Sequence, residues 1–206
     1  LKTSGSDAPK TFNKMKNILL FLFSVLTILS CKENTEQTAQ NKENANSSIF
    51  LLDSKWQNQD AEELQLKDLK GKNLVMVMIF TSCRTACPIL VADMKKVHAK
   101  IEKNKLKDTS LVLISIDPTN DTPEVLKKFA AERNMDSEPW IFLRSDEEST
   151  REFANVLAVK YKKISPIEFS HSNIISVFNR NGELVSQEEG SGINSDAVAK
   201  TVNELK

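Results

Sequence analysis

Two cysteines separated by three residues are the most reactive feature of this sequence. Cys83 and Cys87 follow an apolar run that predicts a buried strand, and they precede a helical pattern that starts at Pro88. The N-terminus of a helix carries partial positive charge and unpaired N–H groups, which favour thiolate over thiol. We therefore expect both sulfurs on one face of the first helical turn, close enough to form a disulfide or to share one metal ion.

Histidine, the other soft-metal ligand to consider, occurs only twice in the chain. His98 lies among lysines within the predicted helix, which indicates a solvated or half-buried side chain. His171 directly precedes a predicted strand. In a thioredoxin-like arrangement its loop would lie beside the cysteine-bearing helix start, so His171 is the candidate partner of the thiols; the alternative is a loop histidine bonded to backbone.

Two thiolates and one imidazole would form a metal site of two sulfurs and one nitrogen. Soft thiolates favour Cu(I) and Zn²⁺, and imidazole also suits Cu(II). A structural zinc site normally takes four protein ligands, and Asp117 or water could supply the fourth. A three-coordinate Cu(I) site needs no further ligand. Asp117, at the end of a second buried strand, is otherwise a neighbour that tunes the sulfurs or a turn residue before Pro118.

The elements that would position these residues alternate between strand and helix patterns. The predicted order begins with a strand at 49–52, a hairpin around 56 and 64–66, a strand at 74–80 and a helix at 88–103. A strand at 111–116 and a helix from 123, capped by Thr122, follow, and then a strand at 140–143 and a helix up to 157, capped by Ser145 or Asp146. A hairpin of 173–179 and 183–187, joined by a turn at Asn181-Gly182, and a last helix capped by Asn194 or Ser195 come after these. This order predicts an α/β sandwich with a mostly parallel centre. A thioredoxin-like fold meets it: a central mixed sheet flanked by helices, an N-terminal strand and hairpin extension, and a C-terminal β-hairpin plus helix.

The first 48 residues indicate a targeting signal followed by a flexible tether. Residues 1–30 contain a short basic region and 12 mostly apolar residues, 18–29, a length typical of a signal-peptide core and short for a bilayer span. Residues 31–48 are polar and predict a flexible tether. The folded domain is expected at 49–206, and an uncleaved membrane anchor is the alternative for the leader.

The segment that ends at Cys31 resembles the lipobox of bacterial lipoproteins. In that class the chain is cut before the cysteine, which receives the lipid. The resemblance implies a lipid on Cys31, which leaves Cys83 and Cys87 as a pair. It also implies a membrane-anchored lipoprotein that faces the periplasm of a Gram-negative bacterium, where disulfides persist unless they are reduced.

Three motifs together resemble the Sco (SenC) family. They are Cys83-x-x-x-Cys87-Pro88, the strand end Ile116-Asp117-Pro118 followed by Asp121-Thr122-Pro123, and His171-Ser172. The resemblance, which runs from about Phe50 to Leu205, implies a thioredoxin-like fold that binds copper through Cys83, Cys87 and His171. It further implies assembly of the dinuclear copper centre of cytochrome c oxidase, with the copper subunit of the oxidase or another exported cuproprotein as partner.

Two functions stay open at this point. In the first, the reduced dithiol and His171 capture copper, and a disulfide between Cys83 and Cys87 abolishes metal binding. In the second, the protein is an enzyme, a thiol–disulfide oxidoreductase acting on exported proteins, with Cys83 attacking and Cys87 resolving. The 28 basic and 28 acidic residues balance, and no long basic stripe indicates nucleic-acid binding.

Overall fold

The computed structural model describes residues 48–84, 86–166 and 168–206. The predicted leader, the predicted lipidation site at Cys31 and the predicted tether up to residue 47 lie outside these residues. Within the described part of the chain, no helix combines the length and the apolar character needed to cross a membrane.

The strands of the described residues form two separate sheets. They are β1 (Lys55–Asn58), β2 (Glu63–Gln65), β3 (Asn73–Ile79), β4 (Thr109–Ser115), β5 (Trp140–Arg144), β6 (Tyr161–Ser165), β7 (Glu168–His171), β8 (Ile174–Phe178) and β9 (Leu184–Glu189). Seven of them form one sheet in the order β2-β1-β5-β4-β3-β8-β9, and β6 and β7 form a two-stranded sheet. In the large sheet β3, β4 and β5 are parallel, whereas β1 and β8 join them antiparallel.

Helices flank the large sheet, and three of them begin at predicted caps. The helices are α1 (Ala86–Lys100), α2 (Lys103–Leu106), α3 (Pro123–Ala131), α4 (Glu147–Val156) and α5 (Ser195–Glu204). The side chains of Thr122, Asp146 and Asn194 each accept a backbone N–H from the first turn of the helix that follows, which satisfies one orphan donor per helix. The α/β fold with a central mixed sheet, predicted from the sequence, is confirmed.

The centre of the fold consists of β3 and β4, which are buried at every residue. Strands covered on both faces are apolar throughout, and this explains their continuous runs of aliphatic residues. The two strands lie in register up to the pair Ile79 and Ser115. The segments that follow these two residues therefore emerge side by side at one edge of the sheet.

The described chain begins at the opposite end of the sheet. The Ile49 N–H donates to the Gly182 carbonyl at 2.9 Å, in the turn between β8 and β9. Because β8 runs antiparallel to β3, this turn lies at the amino end of β3. Gly182 has φ +75°, and a Cβ there would lie 2.7 Å from Ser48 Oγ, so both the backbone conformation and the close approach require glycine.

Three local predictions are wrong. The predicted strand at 49–52 is a short 3-10 helix, Ile49–Leu51, because Ser48 caps it through the Phe50 N–H. The predicted helix from 88 to 103 begins at Ala86 and ends at Lys100, and a separate short helix, α2, follows. The hairpin of β6 and β7 was missed, because its side chains are mostly exposed or half-buried and give a weak apolar pattern; His171 therefore lies in a strand and not in a loop.

Candidate metal centre

Cys83 and Cys87 lie in the connection between β3 and α1. The Cys83 N–H donates to the Phe80 carbonyl at 3.3 Å, which closes a turn just after the strand. Cys87 is the second residue of α1, and its N–H donates to Cys83 Sγ at 3.3 Å. The expectation that both sulfurs share the first helical turn is wrong, because Cys83 precedes the helix; the turn at Phe80 brings its sulfur to the helix start instead.

His171, the last residue of β7, reaches this sulfur pair from the small sheet. Its Nε2 lies 3.6 Å from Cys87 Sγ, and its Nδ1 lies 3.0 Å from the Ser172 carbonyl oxygen. A carbonyl can only accept, so Nδ1 of the neutral ring carries the proton and Nε2 presents a lone pair toward the sulfur. Histidines that bind metals are oriented in this way by a partner on the second ring nitrogen.

The three side chains form one cluster of donor atoms. The two sulfurs and the imidazole nitrogen all lie within 4.8 Å of one another, and the two cysteines stand as a dithiol. No other His, Cys, Asp or Glu of residues 48–84, 86–166 and 168–206 joins this cluster. The arrangement can hold one three-coordinate ion or close into a disulfide.

Three aromatic side chains pack next to the His171 ring. The Phe80 ring lies 5.7 Å from the His171 ring in an edge-on arrangement and 5.2 Å from the Phe169 ring. Tyr161 pairs with His171 across the hairpin, and its ring lies 6.3 Å from that of Phe169. These contacts fix the small sheet on the end of β3 and place an apolar wall beneath the donor atoms.

Burial controls the charge of the donor atoms. Burial raises the pKa of the Cys87 thiol far above its ordinary range, with smaller additions from Cys83 and Asp121, while a hydrogen bond with the Phe80 backbone opposes the rise. Burial therefore favours the protonated thiol at Cys87, the opposite direction to the thiolate expected at a helix start. Burial also lowers the pKa of His171, which favours the neutral ring that metals require.

The two weaker candidates of the sequence lie outside the donor cluster. Asp117 is buried, accepts the Asn120 side-chain N–H at 2.8 Å, and lines a groove with Tyr161 and Phe169. These hydrogen bonds fit a turn residue, and an influence on the sulfurs stays a prediction. His98 is half-buried, as expected, and its ring lies 5.2 Å from that of Trp140.

The sequence singled out Asp121 only as part of a family motif and did not show that this buried carboxylate lies beside the cysteine turn. Asp121 is 1% exposed and accepts hydrogen bonds from Thr81 and Ser115. The position of Asp121 in the sequence could have indicated this contact. Asp121 follows β4, and β4 lies parallel to and in register with β3, the strand that precedes the cysteines. Polar residues after neighbouring parallel strands converge at one edge of a sheet.

The sheet order, the flanking helices and a thiol pair beyond the carboxyl end of a central strand define a thioredoxin-like protein. Within that class the assignment is specific. The chain belongs to the SCO1/SenC family, whose sequence profile matches residues 38–206. The family membership predicted from three short motifs is confirmed.

Individual relatives agree with this assignment. A SCO1 protein homolog of Bacillus subtilis (strain 168) is 38% identical over 100 residues, which are 48% of this chain and 51% of that protein. Across the curated relatives the matched part spans between 51% and 64% of their own length, which is less than two thirds.

Two solved structures resemble the fold closely. A SCO1/SenC family lipoprotein from Bacillus anthracis str. Ames has a TM-score of 0.68 and 28% identity, covering 76% of this chain and 95% of that one. BsSco, described as a member of the Sco family of cytochrome c oxidase assembly proteins with a disulfide switch, has a TM-score of 0.63 and 30% identity, covering 74% of this chain and 92% of that one.

Proposed function

We propose that this protein binds copper through Cys83, Cys87 and His171 and helps to assemble the dinuclear copper centre of cytochrome c oxidase. The observation that carries the proposal is the convergence of two sulfurs and one imidazole nitrogen within 4.8 Å. Membership of the SCO1/SenC family supports it, as does the likeness to BsSco, a protein of the oxidase assembly class.

The donor set fits copper better than zinc. Two thiolates and one neutral imidazole suit Cu(I), and the imidazole also suits Cu(II). A structural zinc site would want a fourth protein ligand, and the described residues offer no fourth His, Cys, Asp or Glu at this cluster. Copper is the cargo in this proposal, so a site of few ligands, from which the ion can leave by ligand exchange, serves the function.

The thiols also provide a switch between two states of the site. Oxidation of the dithiol forms the Cys83–Cys87 bond and releases two electrons and two protons to an external disulfide, which becomes two thiols. Both thiolates are then lost as ligands. Metal loading and disulfide formation are therefore mutually exclusive, and the disulfide switch described for BsSco supports this view.

The membrane location belongs to the same proposal. A leader at 1–30, a lipid on Cys31 and a tether at 31–48 would anchor the domain of residues 49–206 to a membrane on the periplasmic side. The likeness to a lipoprotein of Bacillus anthracis supports the anchor. A copper subunit of the oxidase, or another exported cuproprotein, would then receive the ion at the same membrane.

Copper titration tests the proposal directly. The full chain in detergent, reduced under nitrogen and titrated with Cu(II), is expected to bind one equivalent and to develop a sulfur-to-copper absorption band. A double variant, Cys83→Ser with Cys87→Ser, keeps the size of both side chains and removes both thiols. Equal copper retention by the native dithiol and this variant contradicts the proposal.

A thiol–disulfide oxidoreductase is the second candidate, favoured by the unequal exposure of the thiols. Cys83 is half-buried, whereas Cys87 is buried, the difference expected between an attacking and a resolving thiol. In this case the Cys87→Ser variant accumulates a mixed disulfide between Cys83 and an exported protein, visible on non-reducing gels. Absence of any such adduct in periplasmic extracts contradicts the enzyme function.

A further inference from the structure

Two of the three hydrogen-bond donors to the Asp121 side chain belong to the turn that presents the thiols. Its carboxylate accepts the Thr81 N–H, with Oδ2 at 3.2 Å, and the Thr81 hydroxyl. Thr81 lies inside the turn closed by the Phe80 carbonyl and the Cys83 N–H. The Asp121 side chain therefore holds both the backbone and the side chain of Thr81, a residue inside this turn.

Both oxygens of the Asp121 carboxyl group have hydrogen-bond partners. Ser115 Oγ donates to Asp121 Oδ2 at 2.6 Å, and the same Oγ accepts the Asp117 N–H at 3.0 Å. Thr81 supplies the other two contacts, one from its N–H and one from its hydroxyl. Burial raises the pKa of Asp121, and the hydrogen bonds with Ser115 and Thr81 oppose that rise by stabilising the carboxylate.

Asp121 itself is anchored on the rigid part of the fold. Its N–H donates to the Asp117 carbonyl at 2.9 Å, directly after β4, and the next residue, Thr122, caps α3. Since β4 is fully buried and paired with β3, the carboxylate connects the cysteine turn to the central sheet and to a helix start.

We propose that Asp121 is the positioning residue of the dithiol: by holding Thr81 it fixes the Cys83 sulfur within reach of Cys87 and His171. A carboxylate that is 1% exposed is costly unless its hydrogen bonds are worth more than its hydration, and these bonds end on the cysteine turn. When Asp121 is lost, the turn gains freedom, and the two sulfurs meet less often.

Substitutions at both ends of this contact separate positioning from general stability. Asp121→Asn replaces one carboxylate oxygen by an NH₂ group, which cannot accept and meets a donor. Thr81→Val removes the hydroxyl at nearly constant size, and Thr81→Ser restores it. Asp93→Asn is the matched control, since Asp93 is a buried carboxylate, 2% exposed, that contacts Lys96 on α1 and not the cysteine turn.

The measurement is the thiol–disulfide equilibrium of the full-length protein with glutathione. In this equilibrium the protein disulfide and two molecules of reduced glutathione give the protein dithiol and one molecule of glutathione disulfide. Asp121→Asn and Thr81→Val are expected to lower the equilibrium constant for the protein disulfide by about tenfold, which is about 30 mV for this two-electron couple. Thr81→Ser and Asp93→Asn are expected to stay at the native value, even where thermal unfolding shows that Asp93→Asn lowers stability. Should Asp121→Asn fail to fold, the contrast between the valine and serine variants at Thr81 decides.

The same equilibrium in all of these proteins, or a disulfide in none of them, overturns the inference. Copper-loaded protein gives a second readout, a shifted sulfur-to-copper band in Asp121→Asn and Thr81→Val, and this readout rests on the proposed function. If the native protein binds no copper, the proposed function fails, while the glutathione equilibrium still decides the role of Asp121.

Discussion

The two halves of the donor cluster stand on different kinds of structure. The sulfurs follow β3, a central strand with every residue buried, and are tied to β4 through Asp121. The imidazole stands on the sheet of β6 and β7, which has two strands and many exposed residues. An isolated hairpin is at best marginally stable, so the position of His171 depends on its aromatic contacts with Phe80.

This difference in structural support suggests different roles for the sulfurs and the imidazole. The sulfur half is joined to the buried core through β3 and through Asp121, so we expect it to be the more rigid part of the cluster. The histidine half is held by a few ring contacts at the edge of the fold. We expect the thiols to determine whether an ion binds at all, and the histidine to determine how long it is retained.

Truncation of one residue in each region compares their stability directly, and this is the largest expected effect. Leu113→Ala, in the centre of β4 and fully buried, is expected to lower the free energy of unfolding by about 2–5 kcal/mol because it leaves a cavity. Ile164→Ala, in β6 and 61% exposed, is expected to change it by less than about 0.5 kcal/mol. Urea unfolding followed by circular dichroism measures both, and equal losses would remove the contrast between the regions.

Removal of the imidazole tests the division between retention and redox chemistry. His171→Ala is expected to weaken copper retention by at least about 10–100-fold, the range seen when even the groups that only orient a metal ligand are lost. Disulfide formation between Cys83 and Cys87 is expected to stay close to native, because the turn at Phe80, and not the ring, brings the Cys83 sulfur to the helix start. Competition with a chelator measures the first quantity and thiol titration the second.

The other histidine provides the matched control for this experiment. His98→Ala removes a half-buried ring from α1, where it contacts Trp140 and no sulfur. Copper retention is expected to be unchanged in this variant. A loss as large as that of His171→Ala would show that the copper signal reports stability and not ligation.

The buried thiol predicts a smaller effect on stability at alkaline pH. Burial raises the pKa of Cys87 in the folded state above its ordinary value near 9, so above that pH the folded state keeps a proton that the unfolded state has lost. Stability from this thiol is therefore fully present below pH 9 and decreases at higher pH, by about 1.4 kcal/mol per pH unit. Unfolding of the reduced, metal-free protein between pH 8 and 10.5 measures this slope.

The Cys87→Ala variant isolates the contribution of that one thiol from the titration of tyrosines and lysines. Its unfolding free energy is expected to fall less steeply than that of the native protein over the same interval. Parallel curves for the two proteins would mean that the pKa of Cys87 is the same in the folded and unfolded states, which would contradict the rise caused by burial.

The sequence allowed prediction of those parts of the fold whose pattern is local. Continuous apolar runs indicated β3 and β4, the caps Thr122 and Asp146 marked helix starts, and Asn181-Gly182 marked the final turn. The hairpin of β6 and β7 was not predicted, because half-exposed strands lack a clear alternation of apolar and polar residues. A hairpin that packs through a few rings cannot be recognised from periodicity alone.

Residue types and positions predicted that Cys83, Cys87 and His171 lie close together, and the structure brings them together; their role as metal ligands stays a prediction. The effect of burial on the pKa of Cys87 could not be predicted, because a helix-start argument does not contain it. The contact of Asp121 with the cysteine turn was not predicted for a related reason. Its importance comes from contacts across 40 positions of sequence, and only the register of β3 with β4 brings it to the cysteine turn.

The described chain begins beside the turn at Gly182, at the amino end of β3, and the thiols follow the carboxyl end of the same strand. The seven residues of β3 span about 23 Å. The first described residues and the thiols therefore lie at opposite ends of the same strand, so a label or a surface attached at Ser48 would leave the thiol end of the sheet accessible to a reagent in solution.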